Sequence, residues 1–394
     1  MKKAPTILQV LPWLDSGGVE RGTVDIAEAI VDAGGRALVA AEPGRLNDHL
    51  AKVGGQLLPL AGRSKNPLTI LHRNAKIIEA MVRDNGVDLV HARSRAPAWS
   101  AMLAARRVGV PFVTTYHGAY SQKGRLKAFY NSVMAKGDCV IANSHYTARL
   151  IEARNPEAKS RIVTIHRGVD MDQFDSDAIF SDRLDTLRTR WGFDDRPVIL
   201  LPSRLTRWKG QSFILPVMGA LKKAMGPTFH LLLIGDEQGR EAYVAELDQL
   251  IHEHDLKGCV SRVGHCADMP AAYALADLVI VPSQDAETFG RSAAESLAMG
   301  VPTLVGDLGA QPEVVASPEG VPETDWIARV LRHDDKEGWQ TAIAQMLAME
   351  KAHKKAMTPI ARAHIEANFS LQSMGQQTLT VYDKLIGSSL AADR

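Results

Sequence analysis

The sequence predicts an α/β protein with two domains, each built on a parallel sheet. Three observations predict it. At 394 residues the chain exceeds one compact core of ordinary size, given roughly 150 residues per domain. Short aliphatic or β-branched runs alternate with helical stretches, and the alternation occurs in two series separated by a break in rhythm. Several strand runs are nearly all apolar, as strands covered on both faces must be.

In the first series the strand candidates are Thr6 to Leu11, Arg36 to Ala41, Gln56 to Leu60, Leu89 to His91, Phe112 to Tyr116, Cys139 to Ala142 and Ile162 to Ile165. Helical patterns at Val24 to Ala33, Leu68 to Asn85 and Trp99 to Val108 lie between them. Asp170 to Asp195 is rich in acids and loses the strand rhythm, so the domain connection is expected there. The second series has strands Val198 to Pro202, Phe229 to Ile234, Val260 to Val263, Leu278 to Val281 and Thr303 to Val305. From Asp335 onward the pattern is helical. The expected domains are residues 1–180 and 181–370, with a last helix, about Leu371 to Ile386 within 371–394, returning to the first domain.

Composition narrows the function classes. With 45% hydrophobic and 23% charged residues the chain can fill two cores and does not read as disordered. A net charge of +1 gives no global attraction to nucleic acid, so no nucleic-acid partner is expected and any anion site must be local. Cys139, Cys259 and Cys266 contain no Cys-x-x-Cys pair, which points to reduced core thiols rather than a disulfide framework or cysteine zinc site. The opening apolar run Ile7 to Pro12 is short for a signal peptide, and no stretch offers the roughly 20 apolar residues that span a bilayer. A cytoplasmic protein is expected, with peripheral contact at the inner face of the membrane left open.

In open parallel sheets ligands bind beyond the carboxyl ends of the strands, and the chemistry-bearing motifs fall in such loops. After the first strand comes Asp15-Ser16-Gly17-Gly18-Val19-Glu20-Arg21, leading into a helix. Paired glycines let backbone approach a ligand, and a helix start offers N–H groups to an anion. A plain β-to-α turn has the same composition. The second series opens with Ser203-Arg204-Leu205-Thr206-Arg207-Trp208-Lys209-Gly210 directly after a strand, where Arg204 and Lys209 suit phosphate oxygens; a solvated basic loop is the alternative. Glu287 and Glu295 flank a helix start near Gly290, so Glu295 projects from the helix while Glu287 stays in the loop, and both can reach one ligand. Solvated surface charges are the usual alternative for such residues.

Taken in order, Gly17-Gly18-Val19-Glu20-Arg21, Thr115-Tyr116-His117-Gly118, Asn143-Ser144, Arg167-Gly168-Val169-Asp170, Ser203-Arg204-Leu205 with Lys209-Gly210, Val263-Gly264-His265 and Glu287-x7-Glu295 resemble the family 4 retaining glycosyltransferases. The resemblance spans almost the whole chain, and Glu287-x7-Glu295 preceded by Pro282-Ser283 is its most specific part. It implies the GT-B fold, with two Rossmann-like domains facing each other across a cleft. It implies further that Arg204 and Lys209 hold a donor diphosphate, Glu295 the ribose and Glu287 the donor sugar. His117 would lie against the sugar from the other domain, Gly17 and Gly18 would border the phosphate, and Phe289 and Gly290 would give backbone N–H groups. Gly309-Ala310-Gln311-Pro312-Glu313 departs from the family's usual form, with Ala for a second glycine and Gln for an apolar residue.

Breaking the bond between sugar and diphosphate places negative charge on the leaving phosphate, and Arg204, Lys209 and the helix at Gly290 are expected to stabilise it. No cofactor and no metal are expected; Asp170-Met171-Asp172 lies in the expected connection, away from the phosphate loops. Two glycosidase-like carboxylates acting by double displacement would also retain configuration. The resemblance implies instead a same-face substitution in which the departing phosphate oxygen helps deprotonate the acceptor.

A glycan or glycolipid acceptor is expected on the first domain. Ser121 to Gly137 carries Lys123, Arg125, Lys127 and Lys136 without an acid, beside Leu126, Phe129, Tyr130, Val133 and Met134. Such a helix either lies on an anionic membrane or packs its apolar face on its own domain. His91 to Trp99 contains Arg93 and Arg95, which suit an acidic or phosphorylated acceptor. That segment also resembles glycosyltransferases of the lipopolysaccharide core, some of which transfer mannose. Asp268, after Gly264-His265, would accept from guanine and so favour GDP-mannose over a UDP-hexose. A sugar-nucleotide epimerase, a phosphorylase with a pyridoxal cofactor and a non-catalytic sugar-binding protein are the competing readings on the same architecture.

Overall fold

A computed structural model describes residues 4–15, 17–120, 122–192 and 194–391. They form two compact units, Met1–Gly168 with Leu371–Arg394, and Val169–Ser370. The first unit holds a seven-stranded sheet: β1 Thr6–Trp13, β2 Arg36–Glu42, β3 Gln56–Pro59, β4 Leu89–Ala92, β5 Phe112–Tyr116, β6 Cys139–Ala142 and β7 Ile162–Thr164. Their spatial order is β3-β2-β1-β4-β5-β6-β7 and the pairings are parallel. The second unit holds six: β8 Val198–Pro202, β9 His230–Ile234, β10 Val260–Gly264, β11 Leu278–Val281, β12 Thr303–Gly306 and β13 Ala328–Leu331. These run β10-β9-β8-β11-β12-β13, again parallel.

Each central strand is apolar because helices cover both faces. Leu8 and Val10 of β1 face one core cluster of the first unit, and Ile7 and Leu11 face another. The sheet is therefore a partition between two packed layers. The second unit repeats this, with Leu200 on one side of β8 and Ile199 and Leu201 on the other. Cys139, Cys259 and Cys266 are free and buried in these cores.

The order of strands reverses between β1 and β4 and again between β8 and β11. At such switch points the loops from neighbouring strands diverge to opposite faces and leave a crevice for a ligand. Sequence motifs at Gly17, Arg93, Lys209 and Glu287 all lie in the loops beside these two crevices.

The helix Leu371–Ile386 packs on the helix Gly18–Asp32 of the first unit, with Leu379 and Tyr382 in its core. Tyr382 Oη lies 2.7 Å from His91 Nδ1, and Thr115 Oγ1 lies 2.7 Å from Nε2. His91 is fully buried and its pKa falls well below the ordinary value, through burial and then the charge of Arg93. A neutral imidazole thus ties the last helix to β4 and β5.

The chain enters the second unit at Val169, whose N–H bonds the Phe369 carbonyl, and not at the expected 180/181 boundary. Phe174 already belongs to the second core, and the acid-rich stretch read as a connection includes the helix Ser181–Trp191. The edge strand β13 is absent from the sequence reading because only Ala328 of its four residues is buried. The helix read from Leu68 to Asn85 begins with a π-helical turn, Thr69–Asn74, before the α-helix Ala75–Asp84.

Replacing Tyr382 by Phe leaves one ring nitrogen of a buried histidine unsatisfied. The expected cost is about 1–3 kcal/mol, confined to the first unit. Hydrogen exchange should quicken in peptides covering β4 and Leu371–Ile386 while those of the second unit keep their protection.

Candidate active site

The second unit's crevice is built by two loops that glycine allows to touch. Gly210 closes the loop after β8 at φ +81°, and a Cβ there would come within 1.9 Å of the Pro282 carbonyl beyond β11. Gly309 follows β12 at φ +78°, and its Cβ would meet the Glu287 carbonyl at 2.2 Å. Ala310 N–H donates to that carbonyl at 2.8 Å. Any other residue at either position is excluded both by conformation and by space.

These contacts bring Lys209 to Glu287, with Nζ 2.8 Å from Oε1. The side chains are only 13% and 14% exposed, so this pair is desolvated rather than a surface bridge. Ser283 Oγ also donates to Oε1, as does Gln311 Nε2 at 2.9 Å. Three donors converge on one carboxylate oxygen, and Oε2 accepts no hydrogen bond among the described residues. The carboxylate is held at one end and available at the other. Lys209 Nζ, which carries three protons, keeps donors beyond its bond to Glu287 and lies 4.3 Å from the Trp208 ring centroid.

Arg204 lies on the same loop, exposed and without a side-chain partner among the described residues. The helix Arg291–Ala298 starts just beyond Gly290, and the first N–H groups of a helix have no intrahelical acceptor. Phe289 anchors that start, its ring buried and 6.2 Å from Phe369. One turn in, Glu295 accepts a hydrogen bond from Tyr273 Oη at 3.0 Å. Burial first, then the Glu295 carboxylate, raises the Tyr273 pKa well above its ordinary value, so the phenol remains a donor. Lys209, Arg204, the helix start and the two glutamates therefore all lie on the segments that follow β8 and β11, at the second unit's switch point.

Asp268 requires a correction. The sequence reading gave it to a guanine base. In the structure Arg183 grips both carboxylate oxygens, at 2.9 and 2.6 Å, and Oδ1 also accepts from Ala271 N–H at 3.1 Å. The Arg183 hydrogen bond holds its pKa below the ordinary value. Asp268 caps the helix Met269–Ala274 and braces Ser181–Trp191, which removes the ground for preferring guanine to uracil.

In the first unit, Gly17 caps the helix Gly18–Asp32 and its carbonyl accepts from Arg21 N–H at 3.0 Å. The neighbouring Ser16 lies outside the described residues. A Cβ on Gly17 would come 2.1 Å from Glu20 Oε2, and Glu20 Oε1 accepts from Trp13 Nε1 at 3.0 Å. The chain's own carboxylate thus stands at the helix start, where Gly17 and Gly18 were expected to border a phosphate. His117 follows β5 with Nδ1 3.0 Å from Arg167 Nη2. Burial, then Arg167, Arg93 and His91, lower its pKa well below the ordinary value. Burial and these neighbours favour the neutral imidazole at His117.

Tyr273, Ser283 and Gln311 had no role in the sequence reading. Ser283 carried a signal in the Pro282-Ser283 pair before the motif, and Gln311 as the polar residue in a place that is usually apolar. Gln311 is fully buried, and its Oε1 has no hydrogen-bond partner. An orphaned amide oxygen is a cost that its bond to Glu287 offsets.

The family comparisons agree with this arrangement. Residues 16–173 match the model for Glycosyltransferase Family 4, and residues 185–363 match Glycosyl transferases group 1. A crystal structure of a glycosyltransferase from Rickettsia africae ESF-5 is 30% identical, with a TM-score of 0.88 over 98% of this chain and 100% of that one. The D-inositol 3-phosphate glycosyltransferase of Mycolicibacterium smegmatis is 27% identical over 88% of this chain and 78% of its own length. The Anabaena protein HepE, crystallised with UDP-glucose, shares the fold, with a TM-score of 0.78 at 23% identity over 96% of this chain and 100% of that one.

Gln311→Leu should separate the roles of this residue. Loss of one hydrogen bond to a charged group, about 1.5–3 kcal/mol, should lower kcat/KM for a nucleotide sugar roughly tenfold to hundredfold. Because the orphaned oxygen goes too, thermal stability should not fall, and a calorimetric scan checks this beside the kinetics. With two parallel-sheet units, the donor-side constellation at the second switch point and these matches, the chain belongs to the family 4 glycosyltransferases of GT-B fold.

Proposed function

We propose that the protein transfers a hexose from a nucleoside diphosphate sugar to a glycan or lipid-linked acceptor with retention of configuration. The observation that carries this reading is Glu287, fixed through Oε1 by Lys209, Ser283 and Gln311 beside the start of the Arg291–Ala298 helix. A carboxylate held in this way can accept sugar hydroxyls through Oε2 while cations and helix dipole receive the diphosphate.

Departure of the diphosphate concentrates negative charge on its oxygens. Arg204, Lys209 and the helix N-terminus supply fixed positive potential for that charge, so no metal is given a part in the step. Phe289 and Gly290 contribute backbone N–H groups at the helix start. Glu295, oriented by Tyr273, takes the ribose hydroxyls. His117, neutral, donates or accepts at the sugar and does not serve as a cation. The acceptor hydroxyl is deprotonated by the departing phosphate oxygen on the face it leaves, and no side chain of the chain becomes the nucleophile.

Mannose is the favoured hexose. A GDP-mannose-dependent mannosyltransferase of Mycolicibacterium smegmatis, 27% identical over 64% of this chain, supports that donor now that Asp268 no longer does. The acceptor reading is a glycolipid of the lipopolysaccharide core or another surface polysaccharide, met at the inner face of the cytoplasmic membrane. No described helix is long and apolar enough to cross a membrane. The helix Arg125–Ser132 exposes Leu126 at 87% and Phe129 at 65%, flanked by Lys123, Arg125 and Lys127. Val133 and Met134 turn into the core instead, so the amphipathic stretch divides between packing and surface. Ser121, where that stretch was read to begin, lies outside the described residues.

Lys209→Ala removes a cation that meets both Glu287 and the leaving group, and turnover should drop about 30- to 1000-fold, or roughly 2–4 kcal/mol. Transfer measured with GDP-mannose and UDP-glucose side by side, in the presence of EDTA, tests donor and metal independence together. Activity abolished by EDTA and restored by a divalent ion would overturn the metal-free step. A second measurement concerns the membrane. Basic residues near an anionic surface contribute about 1 kcal/mol each, so changing Lys123, Arg125 and Lys127 to Gln should release the protein from anionic vesicles while nucleotide binding persists. Wild-type protein that ignores such vesicles at low salt contradicts the membrane reading.

A further inference from the structure

The loops that carry the Lys209–Glu287 pair also build a second feature of the same unit. A cavity of about 760 Å³, within the range of small-molecule sites, is lined by Arg207 and Trp208 after β8, Arg240 and Tyr243 after β9, and Gln284 and Asp285 after β11. None of these six residues belongs to the donor constellation.

Local geometry explains the division. Arg207–Lys209 is a single 3-10 turn, in which successive side chains point about 120° apart. Lys209 turns to Glu287, while Arg207 pairs with Glu246 of the helix Glu241–Glu253 and lies over the Tyr243 ring, 5.3 Å from its centroid. Arg207 is thus a wall of the cavity, its charge already met. Trp208 takes a third direction, half-buried, and its indole N–H has no hydrogen-bond partner among the described residues.

The other polar groups form a mixed set. Gln284 Nε2 donates to the Pro282 and His333 carbonyls, both at 3.0 Å, which fixes the amide and leaves Oε1 an acceptor without a partner among the described residues. The Gln284 backbone N–H donates to the Trp208 carbonyl at 2.7 Å, so indole and amide are held in one frame. Asp285 is exposed and makes no ion pair among the described residues. Neither does Arg240, whose Nη1 donates to the Glu237 carbonyl and Gln238 Oε1 at 3.1 and 3.3 Å and whose Nε and Nη2 remain as donors.

This balance selects a neutral ligand. An anion drawn to Arg240 would be opposed by Asp285, and a cation drawn to Asp285 would be opposed by Arg240. A saccharide carries no charge, its hydroxyls both donate and accept, and its C–H faces pack on aromatic rings. The indole N–H and Arg240 suit its oxygens, and Gln284 Oε1 and Asp285 suit its hydroxyl protons.

We propose that this cavity binds a neutral saccharide unit through Trp208, Arg240, Gln284 and Asp285, separately from the donor sugar at Glu287. Placing a donor sugar at Glu287 rests on the glycosyltransferase reading; the cavity site itself does not.

The test follows the indole N–H resonances of the full-length protein labelled with 15N-tryptophan, assigning Trp208 by its loss in Trp208→Phe. Methyl α-mannoside, methyl α-glucoside and methyl α-galactoside are titrated separately, with inorganic phosphate as the charged control. The Trp208 signal is expected to shift saturably with at least one glycoside and not with phosphate, and to do so equally with UDP-glucose or GDP-mannose present at saturation. Asp285→Ala should weaken that binding about tenfold, the loss of one hydrogen bond to a charged group, with affinity for either nucleotide sugar changed by less than about twofold. No saturable shift with any glycoside, unchanged glycoside affinity in Asp285→Ala, or displacement of the glycoside by a nucleotide sugar overturns the proposal. Glycoside binding that passes these tests in protein that binds neither nucleotide sugar upholds the cavity site and overturns the donor assignment instead.

Discussion

The ion pair between Lys209 and Glu287 is the interaction on which the second unit's site depends. It joins the loop after β8 to the loop after β11 across the point where the strand order reverses, and Gln311 adds the loop after β12. A pair this desolvated returns little net stability, because the cost of removing both charges from water offsets their attraction. What it provides is position. With Oε1 held by three donors, the direction of Oε2 is settled before any ligand arrives, and preorganisation of that kind is what electrostatic catalysis requires.

Backbone geometry makes the pair achievable. Gly210 and Gly309 lie at positive φ with carbonyls pressed against the place a Cβ would take, so the loops approach more closely than any other residue would permit. Tyr273 performs a comparable service for Glu295 from the neighbouring helix. The two glutamates of the motif are thus each fixed by a different part of the unit, through donors that no spacing rule includes. Their separation in sequence says that one lies in a loop and one on a helix; their orientation comes from Ser283, Gln311 and Tyr273.

Much of this was legible in the sequence. Twelve strands and the two-domain division follow from apolar runs and their alternation, since strands buried on both faces leave a strong signal. The edge strand Ala328–Leu331 leaves none, because it is mostly uncovered. Arg204, Lys209, Glu287 and Glu295 were readable as a set through motif order, and the structure places them at one switch point. Asp268 was misread because a carboxylate in a binding loop and a helix cap look alike in sequence; only Arg183, distant in the chain, distinguishes them. Gln311 showed as a departure from pattern, but its bond to Glu287 depends on a tertiary contact that a pattern does not encode.

The two sheets handle buried charge differently at equivalent places. Beyond β8 and β11, Lys209 meets a carboxylate and the site is close to neutral before a ligand enters. Beyond β1 and β4, Arg93 donates to the uncharged Gln9, its Nε has no hydrogen-bond partner, and the Asp25 carboxylate favours its charge. A ligand of the second unit must therefore share Lys209 with Glu287, which suits a donor whose charge grows during reaction: the hold on it strengthens as the bond breaks. The same topology thus sets Lys209 against a carboxylate on one sheet and Arg93 against an amide on the other, so the partner of the buried cation is a property of the residues and not of the fold.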